Sequence, residues 1–294
     1  MPFVRRWIIA ALCGALALLG GCGVLRLGYG QADAFAFRWL DGYADFDDAQ
    51  SLRVREGLAG WFGWHRRSEL PDYAELLLRI EPEVRQDTTA ERVCEWWSQA
   101  RRRIDRGLDA AVPLFAEVAP TLRPEQLEHI ERRYAKANAE YRDEFLSRDP
   151  RRRLVATAKR VAGRAEWLYG DLDDGQRTRI AEWVQESPFD PAAAYEERLL
   201  RQEEGLALLR RLAAAPMARE AAEREIRDWL RSFDRSPRLI HRLRTERLVR
   251  HNCALAAALH NSTSPAQREA ASKRLLQWAA DFRALAAEGG GRGG

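Results

Sequence analysis

The densest group of side chains that could do chemistry lies in the first quarter of the chain. Trp61 and His65 are four residues apart, so they would share one face of a helix, and Glu69 would continue that face one turn later. His65 could exchange protons near neutral pH, while Arg66 and Glu69 could hold a polar ligand beside the rings of Trp61 and Trp64. These five residues form a candidate surface for a ligand or a partner. The alternative is a core seam in which aromatic rings pack around hydrogen-bonded polar groups.

The other histidines and cysteines give no pattern for a metal or a cofactor. None of the five histidines belongs to a His-Glu-x-x-His zinc motif. A di-iron site needs Glu three residues before His, and that position holds Gln126 in the case of His129. His251 and Cys253 lack partners at the spacing of metal ligands. Nucleophile-elbow, phosphate-loop and dinucleotide motifs are also missing from the sequence, so we expect no metal, no cofactor and no enzymatic activity.

The composition excludes several broad classes of protein. The chain has 294 residues, of which 46% are hydrophobic and 31% are charged, as in ordinary globular proteins. Its 48 basic and 44 acidic residues give a formal charge of +4, without the one-sided basic excess of a nucleic-acid binder. Only three of the basic residues are lysine, which indicates a coding bias toward arginine rather than phosphate recognition. We therefore expect no nucleic-acid partner.

The N-terminus predicts a membrane anchor. Arg5 and Arg6 precede an apolar stretch of thirteen residues. Such a stretch is shorter than the roughly 20 residues that span a bilayer and is typical of a secretory signal. It ends in Leu19-Gly20-Gly21-Cys22, which resembles a bacterial lipobox.

This resemblance implies that residues 1–21 are a lipoprotein signal peptide and that Cys22 carries acyl chains such as palmitate. Residues 22–30 would then be the lipidated cysteine and a linker. Gly23 stands where Asp commonly favours retention in the inner membrane, so we expect the outer membrane, on its periplasmic face. The alternative is a plain signal peptide or membrane anchor with a chance cysteine.

Two cysteines lie beyond the predicted anchor, Cys94 and Cys253. Because the periplasm is oxidising, they could form a disulfide. The loop that it closes would stabilise the fold by roughly 5 kcal/mol at most in the chain-entropy model. Two separate buried thiols are the other interpretation.

The rest of the chain predicts an all-α fold. Apolar residues recur at three- and four-residue intervals, and no alternating run indicates a strand. We expect a bundle of about nine or ten mostly antiparallel amphipathic helices in residues 31–288, followed by a disordered Gly-rich tail in residues 289–294. Pro113 lies inside a periodic segment and predicts a kink. Prolines mark the expected helix breaks, at Pro71, Pro82, Pro120, Pro124, Pro150, Pro188, Pro191, Pro216, Pro237 and Pro265.

Four predicted helices begin with a similar motif, in which a glutamine falls in the first turn, at Gln50, Gln126, Gln176 and Gln267. A glutamine three residues after the cap can bond to the backbone of the cap residue, as in a capping box. The motif also resembles the Leu-Thr-x-x-Gln motif of periplasmic stress chaperones, although Arg123 replaces its Thr in the second copy. That resemblance implies an ATP-independent helical holdase. The alternative is that these glutamines serve only as helix caps, which any helical protein needs.

Longer segments resemble a family of uncharacterised Gram-negative envelope lipoproteins, and they are residues 25–29, 32–33, 39–43, 64–73, 259–261 and 265–268. The resemblance implies an all-helical envelope lipoprotein, with no catalytic or binding residue to transfer. We therefore expect a membrane-anchored, non-enzymatic protein that binds an envelope protein or helps to maintain the envelope. A chaperone-like holdase, and a small-ligand binder or hydrolase that uses the His65 region, are the alternatives.

Overall fold

The computed structural model describes residues 24–147, 149–215 and 217–290, so Cys22 and the predicted signal peptide lie outside the described residues. The described part contains eleven α-helices and no strand, which confirms the all-α prediction. The helices are α1 (Val24–Gly30), α2 (Ala32–Ala44), α3 (Asp48–Ile80), α4 (Ala90–Val118), α5 (Pro124–Tyr141), α6 (Pro150–Tyr169), α7 (Asp174–Gln185), α8 (Pro191–Ala214), α9 (Arg219–Arg231), α10 (Leu239–Asn261) and α11 (Pro265–Gly290).

Most helices begin at the signals that the sequence contains. Asp47 and Asp173 cap α3 and α7 by accepting hydrogen bonds from the backbone of Gln50 and Gln176. Thr89 does the same for α4. Proline occupies the first position of α5, α6, α8 and α11, where its missing N–H has no helical partner to lose.

The two ends of the predicted helical domain differ from expectation. Residues 22–30 were predicted to be a linker, but they include α1. Its Tyr29 packs on Phe62 and His65 of α3, with ring centroids 5.8 Å apart in both cases, so tertiary packing stabilises a helix that contains two glycines. At the other end, α11 continues through Gly290, into the segment predicted to be disordered, and residues 291–294 lie outside the described residues.

Pro71 was wrongly predicted to be a helix break, because α3 continues through it to Ile80. A proline inside a helix loses one backbone hydrogen bond and tends to kink the helix. Here the neighbouring side chains are deep in the core, with Leu70 1% and Ala74 0% exposed. Burial of apolar surface on this scale offsets the lost bond. Pro113 lies inside α4, as predicted.

The helices α3 and α11 form an antiparallel pair. Tyr73 contacts Phe282, whereas Val84, just after α3, packs on Ala271 near the start of α11. The core is divided among several clusters along the molecule, one of which joins α4, α8 and α9 through Val112, Leu212 and Ile226.

A disulfide joins Cys94 of α4 to Cys253 of α10, with the two Cα atoms 5.5 Å apart. It links segments that are 159 residues apart in sequence. None of the described helices combines the length and apolar character needed to cross a bilayer.

Candidate functional site

His65 lies in an aromatic seam between α1 and α3. The imidazole stacks with the rings of Trp61 and Tyr29 at centroid distances of 4.8 and 5.8 Å, and Tyr73 contacts its edge at 5.5 Å. The Tyr29 hydroxyl and His65 Nδ1 are hydrogen-bonded at 2.8 Å. Trp64 adds an edge contact at 6.3 Å, so four aromatic side chains surround the imidazole.

The surroundings of His65 hold it neutral. Burial lowers the pKa of His65 to about 4, and burial raises the pKa of Tyr29 to about 12. A general acid or base works best when its pKa lies near the working pH. This pair is thus better suited to packing than to proton transfer at neutral pH.

Arg66 shares its contact with Tyr29 with His65, whereas Glu69 points to α4. The guanidinium of Arg66 lies over the ring of Tyr29, 5.2 Å from its centroid. The buried carboxylate of Glu69 accepts a hydrogen bond of 3.0 Å from Arg106 on α4. The five predicted residues are close together, but His65, Arg66 and Glu69 line neither of the two cavities described below.

Trp61 and Trp64 line a groove between α3 and α4, which we call the α3–α4 groove. Its volume is about 250 Å³, and its walls are formed by Gly57, Gly60, Trp61, Trp64, Ala110, Pro113, Leu114 and Glu117. Trp61 is fixed there because its indole N–H donates to the carbonyl of Gly107 at 2.9 Å. The lining is apolar except for Glu117, so the groove suits an apolar side chain better than a reaction that needs an acid and a base.

Glycine at position 57 leaves room for the side chain of Leu114 at one wall of this groove. A Cβ on Gly57 would lie 2.3 Å from a methyl carbon of Leu114, so glycine allows α3 and α4 to approach closely. In contrast, a Cβ on Gly60 would meet no atom within 4 Å. The groove is thus open above Gly60.

A second cavity, of about 380 Å³, lies at the start of α11 and is lined by Arg85, Thr263, Pro265, Arg268 and Glu269. Its charges are already paired, since Arg85 bonds to Glu269 at 2.7 Å and Arg268 bonds to Asp87 at 2.5 Å. Such a site has no spare charge for a ligand.

The four glutamines at helix starts form two hydrogen-bonded pairs. The amides of Gln50 and Gln126 exchange hydrogen bonds of 3.2 and 2.7 Å, and those of Gln176 and Gln267 exchange two of 2.9 Å. Gln50, Gln126 and Gln176 are each 2–3% exposed. The capping prediction was right that each glutamine lies at the start of a helix. It did not predict that the glutamines of different helices bond to each other in pairs.

Each pair also bonds to the segment before the partner's helix. In the first pair, Gln50 donates to the carbonyl of Thr121 at 2.7 Å and Gln126 donates to that of Asp45 at 2.8 Å. In the second pair, Gln176 donates to the carbonyl of Ser262 at 3.1 Å, and Gln267 donates to that of Asp171 at 2.8 Å. The same arrangement of hydrogen bonds therefore joins α3 to α5 and α7 to α11.

A buried carboxylate network that the sequence analysis missed surrounds Glu197 of α8. Its carboxylate accepts hydrogen bonds from Ser236 at 2.8 Å, Arg238 at 2.8 Å and Arg201 at 3.1 Å. Burial would raise the pKa of Glu197, but the hydrogen bonds from Arg238 and Ser236 outweigh it and lower the pKa to about 2. The network holds the turn between α9 and α10 against α8. The only local signal was the four-residue spacing of Glu197 and Arg201.

Among the described residues, no group of three or more histidine, cysteine or acidic side chains is placed to hold a metal ion. No curated protein and no solved structure matches the chain. Residues 42–216, more than half of the chain, match the model of a family described as "Family of unknown function (DUF6279)". The matched residues include both walls of the α3–α4 groove and the first glutamine pair. The chain therefore belongs to the family of unknown function DUF6279.

Proposed function

We propose that the chain is an envelope lipoprotein, anchored to the outer membrane through acyl chains on Cys22. We also propose that its helical body is a non-enzymatic module that binds another envelope protein. The observation that carries the proposal is the sequence Leu19-Gly20-Gly21-Cys22 at the end of the apolar stretch. Several acyl chains on one residue would give stable anchoring, where a single chain gives only marginal binding.

The disulfide is consistent with the proposed location in the envelope. Disulfides form and persist in oxidising compartments such as the periplasm and are rare in the cytosol. The bond between Cys94 and Cys253 joins two helices of the body, as a structural disulfide in an envelope protein does.

The α3–α4 groove is the surface that best suits a protein partner. Tryptophan is enriched at the centres of protein interfaces, where it fills or lines a well-packed pocket. Trp64 is partly exposed at the rim, and Glu117 offers one acceptor there. We propose that a partner inserts an apolar side chain between Trp64 and Pro113.

A substitution that fills the α3–α4 groove is expected to prevent the partner from binding. Gly60→Leu adds a side chain where nothing lies within 4 Å, so it should occupy the groove without disturbing α3. We expect the recovered amount of at least one protein that cross-links to the wild-type chain in intact envelopes to fall by fivefold or more with this variant. Quantitative mass spectrometry of the recovered proteins measures the change.

Gly163→Leu is the matched control, because Gly163 is also an exposed helical glycine with nothing within 4 Å of a Cβ. Both substitutions raise helix propensity by a similar amount. Recovery of the same proteins in the same amounts with wild type, Gly60→Leu and Gly163→Leu would refute the groove as a partner site.

The glutamine motif does not add support for a chaperone. The four glutamines face one another and the backbone, so their bonds account for their presence without a client. A chaperone-like holdase stays a prediction, which suppression of client aggregation without ATP would test. The hydrolase or ligand-binder alternative needs a pocket that joins His65, Arg66 or Glu69 to a second acid or base, and neither described cavity provides one.

A further inference from the structure

The first two helices expose large apolar side chains next to the proposed lipid anchor. Leu27 of α1 is 67% exposed, and Phe35 and Trp39 of α2 are 59% and 64% exposed. The guanidinium of Arg38 lies 4.6 Å from the centroid of the Phe35 ring. We call three exposed residues of α2, namely Phe35, Arg38 and Trp39, the Trp39 face.

The Trp39 face is opposite the side of α2 that packs on the body. Phe37 and Ala44 are 5% and 8% exposed, and Phe37 packs with Val54 and Leu58 of α3. At 3.6 residues per turn, Phe35, Arg38 and Trp39 fall within about 100° of arc, and Phe37 points away from them. The face is thus the outer surface of a docked helix.

The acidic residues of α2 are turned away from this face. Asp33 and Asp41 lie four residues before and after buried Phe37. Asp33 bonds to its neighbouring backbone N–H at 2.7 Å, and Asp41 accepts from the backbone of Phe46 at 3.1 Å. Among the residues of α2, the face therefore presents two aromatic rings and one cation, with no carboxylate.

The face cannot lie far from the proposed anchor. Only Gly23 lies between Cys22 and Val24, so the two residues are at most about 7 Å apart. From Val24 to Trp39, a helical rise of 1.5 Å per residue adds at most about 23 Å. Trp39 is thus within roughly 30 Å of the lipidated residue, which is about the thickness of a bilayer core.

We infer that the Trp39 face rests in the lipid–water interface of the membrane that holds Cys22. Tryptophan is enriched at the level of the lipid headgroups, where its ring and its N–H both find suitable surroundings, and arginine is attracted to anionic headgroups. The inference rests on the proposed lipid anchor. Because α2 is fixed to α3 through Phe37, contact at this face would also set the orientation of the body on the membrane.

Brominated lipids test this contact, since bromine quenches tryptophan fluorescence at short range. The lipidated chain would be reconstituted into vesicles of phosphatidylcholine and phosphatidylglycerol, with and without brominated phosphatidylcholine. The contribution of Trp39 is the difference between wild type and Trp39→Phe. Trp167→Phe supplies the matched control, because Trp167 is 58% exposed on α6.

We expect the Trp39 contribution to fall at least twofold in brominated vesicles while the Trp167 contribution is unchanged. Vesicle flotation, measured on the same samples, reports the anchor separately. A chain that floats but shows no quenching of Trp39, or equal quenching of Trp39 and Trp167, overturns the inference and leaves the anchor intact. A chain that does not float refutes the anchor and the inference together. A dimer in detergent that Trp39→Asp dissociates, with Trp39 unquenched in vesicles, would assign the face to a second copy of the chain and overturn the inference.

Discussion

Replacement of Gln126 by leucine is expected to lower the free energy of unfolding by about 3–5 kcal/mol. The Gln126 amide donates to Asp45 and to Gln50, and it accepts from the backbone N–H of Arg123 at 3.0 Å. Leucine fills a similar volume but makes none of these bonds. Of the abandoned groups, the Gln50 amide is buried and the backbone groups of Asp45 and Arg123 are partly buried, and an unpaired buried group costs about 1–3 kcal/mol. Urea denaturation followed by circular dichroism measures the loss.

Gln185→Leu is the control, because Gln185 is exposed at the end of α7 and its replacement should change stability by less than about 0.5 kcal/mol. A double-mutant cycle then isolates the pair. Gln50→Leu and Gln126→Leu should couple by about 0.5–3 kcal/mol, whereas Gln126→Leu and Gln176→Leu, which belong to different pairs, should be additive. If the losses of stability caused by Gln50→Leu and Gln126→Leu are additive, the paired arrangement is contradicted.

Loss of the disulfide is expected to lower the free energy of unfolding by an amount similar to that expected for Gln126→Leu. The double variant Cys94→Ala, Cys253→Ala removes a bond across 159 residues, and the chain-entropy model gives a loss of roughly 5 kcal/mol at most. Cys253 is 4% exposed, so its truncation adds a small packing cost. The urea midpoint of the variant should therefore fall well below that of the oxidised wild type.

Wild-type chain treated with reductant provides the comparison, since it loses the same bond without losing any side-chain atoms. Its midpoint should shift most of the way toward that of the double variant. If oxidised wild type, reduced wild type and the double variant unfold at the same urea concentration, the two cysteines are not bonded in solution.

Local patterns in the sequence were sufficient to predict the helices. The three- and four-residue spacing of apolar residues predicted the all-α fold, and caps such as Asp47 and Asp173 predicted where helices begin. Two departures came from tertiary packing. Contact with Phe62 and His65 makes α1 helical, and burial of Leu70 and Ala74 carries α3 through Pro71.

Long-range partners could not be predicted in the same way. Gln50 and Gln126 are 76 residues apart, and Gln176 and Gln267 are 91 residues apart, so nothing in either local motif indicates its partner. The Glu197 network likewise depends on Arg238, which approaches only when the turn before α10 folds against α8. Pairings of this kind follow from topology, which the spacing of apolar residues along single helices leaves open.

The residues predicted to form one candidate surface are neighbours along the chain but have different surroundings in the fold. Trp61 and His65 share a face of α3, as their spacing predicts, and stack at 4.8 Å. The neighbours that decide their roles come from elsewhere: Tyr29 of α1 covers His65, and Pro113 of α4 faces Trp64 across the groove. Helical spacing could therefore predict which side chains are adjacent, but not which of them border open space.

The most direct test of the central claim is the mass of the N-terminal peptide of the chain isolated from Gram-negative envelopes. If the chain is a lipoprotein, the peptide begins at Cys22 and carries a diacylglycerol on the thiol and an acyl chain on the amine. A peptide that retains residues 1–21, or one that begins elsewhere or at Cys22 with a free thiol, would contradict the claim.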